Sequence, residues 1–209
     1  MERDAMGKKS AFRYLYLLLG WPLFFLLYYL TETYIPPEHC HLIHIPLDDR
    51  IPFCEGFVIF YVGWYLLIVL TLGYFLLRRG ESFKCLQTYI IIVQLLAVAV
   101  FILYPSRQDL RPEVFPRRNL FTQILSCIYR LDTPTGVFPS LHVAISVGIA
   151  SAWIREQGIR PWLKGGIVLF SLGVCMSVVF VKQHSAADIL AALPLCLIAE
   201  LVAFGADWC

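Results

Sequence analysis

Charged side chains are scarce in this chain of 209 residues, and that scarcity excludes an ordinary water-soluble domain. Asp, Glu, Lys and Arg together make up only 15% of the residues, whereas 59% are hydrophobic. A soluble core of this size cannot bury so much apolar surface, but a lipid bilayer can solvate it. The net charge of +2 is small, and no basic tract indicates nucleic-acid binding.

The chain also lacks the features that separate domains or build a cysteine-based metal centre. It has no internal repeat and no linker rich in Pro, Gly and Ser, so we expect residues 1–209 to form a single membrane-embedded domain. The seven cysteines include no C-x-x-C pair that would indicate zinc or redox chemistry. Cys40 and Cys54 share one loop, and the sequence leaves open whether they form a disulfide or remain thiols.

The hydrophobic residues instead come in long runs. A helix needs roughly 20 residues to cross about 30 Å of hydrocarbon. The fourth run is shorter and stops at Arg155, so we expect its helix to start below the membrane surface. The first run is too long and too aromatic for a signal peptide. The sequence therefore predicts an all-α, polytopic bundle of six transmembrane helices, at 11–30, 56–77, 86–104, 141–154, 165–181 and 189–206.

The basic residues predict how this bundle is oriented, because Lys and Arg favour the cytoplasmic side in short loops. Segments 1–13, 78–84 and 155–164 fall on one side and hold 10 of the 17 basic residues. We therefore expect both termini in the cytoplasm, the other loops outside, and a location in the plasma membrane. The outward loop 106–140 nevertheless carries five arginines, which need another explanation.

That outward loop contains an amphipathic stretch. Leu120, Phe121, Ile124, Leu125 and Ile128 would share one face of a helix, opposite polar side chains. The pattern is typical of a short interfacial helix, and equally of a lid packed on the bundle. In both cases the helix borders the mouth of any site on this side.

The strongest chemical signal comes from two histidines and an aspartate at the outward face. His184 and Asp188 are spaced i, i+4, so the carboxylate can accept a hydrogen bond from the imidazole and fix its tautomer. The other ring nitrogen is then left as a nucleophile. His142 is expected across the gap, where it can donate a proton to a leaving oxygen.

Two cations in the same loops, Arg111 and Lys182, are candidates to hold phosphate oxygens. Ionisable groups at membrane depth are costly and are usually functional. The residues alone therefore favour phosphoryl chemistry on a lipid, with structural histidines as the alternative.

Three motifs between residues 111 and 188 resemble those of the type 2 phosphatidic acid phosphatase superfamily, whose membrane members have six helices. The family motifs are one that ends in Arg-Pro, one that reads Pro-Ser-Gly-His, and one with Ser-Arg, His and Asp at fixed spacing. Their counterparts here are Arg111 and Pro112, then Pro139, Ser140 and His142, then Ser177, His184 and Asp188.

The resemblance implies a role for each matched residue. His184 is expected to become a phosphohistidine, with Asp188 orienting its ring and His142 protonating the leaving group. Arg111 and Ser140 are expected to bind phosphate. No metal or other cofactor is implied, and the expected partners are a lipid phosphate and the bilayer.

Three departures weaken the expected phosphate site. Tyr104 stands where the first motif has Lys, Leu141 replaces Gly, and Val178 replaces Arg. Two cationic ligands are therefore missing, and Lys182 is the candidate to replace one of them. The Phe-Pro-Ser-Leu-His form also resembles fungal inositol phosphorylceramide synthases, which transfer a phosphorylated headgroup between lipids.

The leading hypothesis is a lipid phosphatase that acts on phosphatidic acid, an isoprenoid pyrophosphate or a related lipid. A headgroup transferase shares the first half-reaction and differs in the acceptor. A transporter or membrane scaffold is the non-enzymatic alternative, and the sequence does not specify an oligomeric state.

Two further features invite functional interpretations that the sequence favours less. Pro36, Pro37 and Pro46 indicate an irregular interfacial loop, although that loop also holds a possible metal-binding cluster. Glu200 could serve an ion path, but we favour a hydrogen bond to a neighbouring helix. The members of the possible metal cluster are His39, Cys40, His41 and His44.

Overall fold

The computed structural model describes residues 13–205 and consists mainly of helices, which confirms the all-α, polytopic membrane fold. A 3-10 turn at Leu15–Leu19 leads into the first helix. Two short strands, β1 (His41–Leu42) and β2 (Ser106–Arg107), pair in parallel. The helices are α1 (Gly20–Tyr34), α2 (Pro46–Arg50), α3 (Val58–Arg78), α4 (Gly80–Leu103), α5 (Leu120–Leu131), α6 (Leu141–Arg155), α7 (Pro161–Phe180) and α8 (Ala186–Ala203).

Five segments of the described chain are long and apolar enough to cross a membrane. They correspond to α1, α3, α4, α7 and α8, each close to a predicted run. The predicted fourth helix is α6, whose 15 residues fall short of that length as expected. The count of six therefore stays a prediction. The first two residues of the run 11–30 and the last of the run 189–206 lie outside the described residues, as does most of the basic N-terminal segment.

The core lies where α4 packs against α1, α3, α6 and α8. Tyr89 and Ile90 on α4 have no exposed surface. Gly148 lets α6 approach closely, because a Cβ there would lie 2.3 Å from the Tyr89 ring. Tyr89 also donates a hydrogen bond to the Ala144 carbonyl at 3.1 Å. These contacts fix the depth of α6 relative to α4.

The loops segregate to two ends of the bundle. At one end, Arg79 pairs with Glu156 at 3.3 Å. Near the same end, Glu200 accepts hydrogen bonds from Ser151 at 2.7 Å and Arg155 at 2.5 Å, which confirms the interpretation of Glu200 as a contact between helices. The other end gathers the loops that carry the candidate residues. Which side of the membrane each end faces stays a prediction.

Helix α5 packs on the candidate end as a lid. Leu125 is fully buried, while Leu120 remains 66% exposed. Asn119 caps the helix and donates to Glu55 at 3.0 Å, and the Tyr129 hydroxyl donates to the carbonyl of Val181 at 2.5 Å. One face of α5 thus contacts the bundle, and its ends retain exposed leucines suited to the bilayer interface.

The first long loop has its own contacts. Cys40 and Cys54 are free thiols, so the disulfide alternative is not what the structure contains. The His44 ring lies 2.9 Å from both Asp49 and Asp109, and His41 stacks on Tyr104 with ring centroids 4.3 Å apart. These histidines therefore diverge toward separate partners, and within residues 13–205 no group of three or more His, Cys, Asp or Glu side chains is arranged to hold a metal.

Candidate active site

The turn between α7 and α8 presents His184. After α7 ends at Phe180, Lys182 adopts a left-handed backbone conformation with a φ of 54°. The amides of Gln183 and His184 then both donate to the Val178 carbonyl, at 2.9 and 3.0 Å. Ser185 caps α8 through a hydrogen bond to the Ala187 amide. The backbone of His184 is therefore fixed from both sides.

The tautomer of His184 follows from its partners. Its Nδ1 lies 2.9 Å from the carbonyl oxygen of Val137 and 3.0 Å from Oδ2 of Asp188. A carbonyl oxygen can only accept, so Nδ1 carries a proton, and in the neutral ring the lone pair is on Nε2. The contact expected from the i, i+4 spacing is present, and the Val137 carbonyl reinforces it. Asp188 is fully buried behind the ring.

His142 faces His184 from the first turn of α6, with ring centroids 5.7 Å apart. Its ring packs against Tyr61 at 4.4 Å and Trp64 at 4.1 Å. Its Nε2 is buried and has no hydrogen-bond partner among the described residues. The two predicted histidines thus come together, but in contrasting surroundings.

Asp48 is a site residue that sequence reasoning missed. Its side chain is buried, with Oδ2 accepting from the Ser185 hydroxyl at 2.6 Å and Oδ1 from the Ala186 amide at 2.7 Å. Lys182 also contacts the first loop, which joins α1 to α3, by donating to the carbonyls of Asp48 and Ile51, at 2.8 and 2.6 Å. The first loop is therefore tied to the His184 turn. Only the burial of Asp48 distinguishes it from its neighbour Asp49, and the sequence carries no signal for that burial.

The guanidinium of Arg111 is hydrogen-bonded to other protein groups and does not face the cavity. Nε donates to Gln183 at 2.8 Å, and Nη1 donates to the carbonyls of Tyr129 and Asp132 at 3.2 and 2.9 Å. Nη2 donates to the carbonyl of Thr133 at 3.2 Å and lies 3.7 Å from the Asp132 carboxylate. All five N–H groups of a guanidinium are thereby engaged or paired. Arg111 lies behind the wall of the site rather than on it.

The remaining predicted ligands are also set back. Ser140 is fully buried at the start of α6, its amide donates to the Asp188 carbonyl at 3.2 Å, and its hydroxyl has no partner among the described residues. Lys182 reaches the first loop, where burial lowers the pKa of its ammonium group. Of the predicted residues, His142 and His184 line the cavity described next, whereas Arg111, Ser140, Lys182 and Asp188 do not.

A cavity of about 620 Å³ opens from the two histidines. Its polar end also includes Asp132, Thr133 and Gln183, and burial raises the pKa of the Asp132 carboxyl. The remainder is largely apolar and runs along α3 as far as Leu76, opposite α1. Among the described residues that line it there is no Lys or Arg. The cavity thus joins a reactive, cation-poor end to a long apolar slot.

Comparison with known proteins identifies a related fold. A solved structure, the crystal structure of LpxE from Aquifex aeolicus, superposes with a TM-score of 0.55 over 77% of this chain and 92% of that chain. The chain has the fold of LpxE. The two sequences are 18% identical, so the likeness concerns the fold alone. No family model matches the sequence, and no curated protein matches it either.

Proposed function

We propose that this integral membrane protein is a lipid phosphatase that works through a phosphohistidine at His184. The observation that carries the proposal is the His184 ring, which is fixed by Asp188 and the Val137 carbonyl and faces His142 at the end of an apolar cavity. The fold of LpxE, a phosphatase of the superfamily that the motifs resemble, supports the same reaction class.

In the first half-reaction, the lone pair on His184 Nε2 forms a bond to phosphorus as the bond from phosphorus to the lipid oxygen breaks. The departing oxygen takes a proton from Nε2 of His142, which starts the cycle as the imidazolium and has no hydrogen-bond partner at Nε2 among the described residues. Positive charge on the His184 ring is stabilised by Asp188, which accepts from Nδ1. The products of this step are the lipid alcohol and phosphohistidine.

In the second half-reaction, His142 is the base. Water attacks phosphorus, its proton passes to His142 Nε2, and the nitrogen–phosphorus bond breaks to return the electron pair to His184. Inorganic phosphate leaves, and both histidines regain their starting protonation states. The cycle needs one water and no other reactant.

The phosphate needs positive partners, and the start of α6 supplies them. Its first turn has no side-chain cap, so the N–H groups that follow Ser140 are available to an anion. Ser140 does not line the cavity, so its predicted phosphate contact stays a prediction. Arg111 acts through Gln183, which it holds at the cavity wall, and Lys182 holds the first loop.

The lipid chain fits the apolar slot. From Trp64, beside His142, to Leu76, the slot follows α3 for 12 residues, or about 18 Å along a helix. One leaflet provides about 15 Å of hydrocarbon. The slot therefore has the length of one lipid chain, and in the predicted orientation its reactive end faces the outer side.

The test is phosphate release from radiolabelled lipid phosphates by the purified protein in vesicles, with a trap for the acid-labile phosphohistidine. We expect release by wild type and neither release nor trapping with His184→Ala. Equal release by both proteins would refute the proposal.

A headgroup transferase is the second candidate, and the cation-poor cavity favours it. A phosphomonoester carries about −1.5 to −2 charges at neutral pH and a phosphodiester about −1, so a cavity without Lys or Arg among its described lining residues disfavours a monoester more strongly. Adding a lipid alcohol to the same assay, with a labelled phosphodiester as donor, distinguishes the two. Acceptor-dependent formation of a new phospholipid would support the transferase.

A further inference from the structure

Gln94 on α4 is an unusual feature of the cavity wall. Only 1% of its surface is exposed, and neither its amide oxygen nor its amide nitrogen has a hydrogen-bond partner among the described residues. A buried amide without a partner costs about 1 to 3 kcal/mol. Native proteins seldom retain such a group unless a ligand, a water or a function uses it.

The described residues around Gln94 offer its amide no hydrogen-bond partner. Gln94 contacts the large cavity and also a small void between α1 and α4, and the residues around that void are otherwise apolar. Phe24 lies on both cavities beside it. A polar group that meets this amide would therefore have to arrive from the cavity.

The depth of Gln94 relates it to the reacting atoms. Tyr89 reaches the carbonyl of Ala144, and Gln94 lies five residues farther along α4, about 7.5 Å closer to the candidate end. Because α6 runs in the opposite direction, the same rise of about 7.5 Å corresponds to about five residues back from Ala144, so Gln94 lies within about one helical turn of Leu141 and His142, which also line the cavity. A lipid whose phosphorus lies between the histidines thus has the bonds next to its phosphate near this amide.

We infer that Gln94 selects lipids with a hydrogen-bonding linkage next to the phosphate, such as the ester carbonyl of a diacylglycerol or the amide or hydroxyl of a sphingoid base. An isoprenoid or simple alkyl phosphate has only hydrocarbon at that position and would leave the amide unpaired. The inference rests on the proposed function, and it separates two substrate classes that the motifs leave together.

The experiment compares Gln94→Leu with wild type on two substrates, a diacylglycerol phosphate and a branched alkyl phosphate of matched length. Loss of one hydrogen bond should lower kcat/KM for the diacyl lipid about tenfold and leave the alkyl phosphate unchanged or improved. Gln94→Leu should not lower the thermal midpoint of unfolding, because it removes an unpartnered polar group.

Gln87→Leu is the matched control. Gln87 lies on the same helix and is equally buried, but its amide accepts from Trp21 and donates to the carbonyl of Leu17, both at 3.3 Å. We expect this variant to lower the thermal midpoint and to leave the ratio between the two substrates as in wild type. If Gln94→Leu leaves that ratio unchanged, or lowers both rates equally, the inference is overturned.

A binding measurement keeps the inference separate from the proposed reaction. If wild type hydrolyses neither substrate, the proposed function fails, and thermal stabilisation by a diacyl phosphonate and by an alkyl phosphonate still tests Gln94. Stronger stabilisation by the diacyl compound that Gln94→Leu abolishes would support the inference. Equal stabilisation of both proteins by both compounds would overturn it.

Discussion

The surroundings of the two histidines differ in kind. His184 is held by hydrogen bonds that its Nδ1 donates to the Val137 carbonyl and to Asp188, on a turn that Asp48 fastens to the first loop. His142 is held by aromatic packing against Tyr61 and Trp64, with its Nε2 left unpartnered. One ring is fixed through polar contacts and the other through shape.

This difference matches two chemical tasks. A histidine nucleophile must keep one tautomer through the whole cycle, and a fixed acceptor at Nδ1 achieves that. A general acid must gain and lose a proton at the reacting nitrogen, so a permanent partner there would compete with the substrate. The contrast therefore predicts unequal consequences when each histidine is changed.

His184→Ala should have the largest effect. Without a nucleophile, no phosphoenzyme forms, and phosphate release should fall by at least about 10⁴-fold. His39→Ala is the control, because His39 is exposed and lies outside the cavity. Phosphohistidine that still accumulates in His184→Ala would show that another histidine is the nucleophile, and the proposed division of roles between His184 and His142 would be wrong.

His142→Gln should have the next largest effect, and its size should depend on the leaving group. We expect phosphoenzyme formation from an alkyl phosphate to slow by about 10² to 10⁴-fold. Formation from p-nitrophenyl phosphate should slow far less, since that leaving group departs without a proton. Single-turnover labelling with both substrates measures the two rates. An equal loss with both would mean that His142 only shapes the cavity.

Asp48→Asn should follow, because it loosens the His184 turn without touching substrate. The amide cannot reproduce the acceptors for Ser185, Ala186 and Ile45 together, and a small displacement of a catalytic group costs up to about a hundredfold in rate. We expect kcat to fall while KM stays close to that of wild type. The adjacent Asp49, whose side chain is 70% exposed, provides Asp49→Asn as the control. If both variants behave alike, Asp48 does not position the turn.

The sequence correctly predicted those features that depend on residues close together in the chain. Hydrophobic runs locate the helices. The i, i+4 spacing correctly predicts the contact of Asp188 with the His184 ring, although His184 lies in the turn before α8 and only Asp188 is on the helix. Glu200 was also interpretable, since a carboxylate within an apolar helix requires a polar partner.

The rest depends on contacts between distant segments. The contact of His184 with the Val137 carbonyl involves the backbone, so no side chain in the sequence indicates it. Asp48 pairs with Ser185 and Ala186, which are more distant in sequence than any local spacing rule covers. The Arg-Pro motif places Arg111 near the site, but its charge turns to backbone carbonyls that only the folded loop brings together. Such pairings have no spacing rule, so a single sequence does not reveal them.

The smallest expected effect on stability concerns His44, in the loop between α1 and α3, whose ring bridges the carboxylates of Asp49 and Asp109. Hydrogen bonds to Asp109 and Asp49 raise the pKa of His44 above its ordinary value of 6.5. Because the folded pKa is the higher one, the protonated ring stabilises the fold below about pH 6.5, and this stabilisation is lost as the pH rises through the raised pKa. His44→Gln should therefore lower the thermal midpoint of unfolding at pH 5.5 and change little at pH 8.5. The shift should be small, since solvent screens an ion pair this exposed. A variant that is destabilised equally at both pH values would show that His44 contributes packing to the loop. The polar contacts that stabilise the His184 turn would then include Asp48 but not the ion pairs of His44.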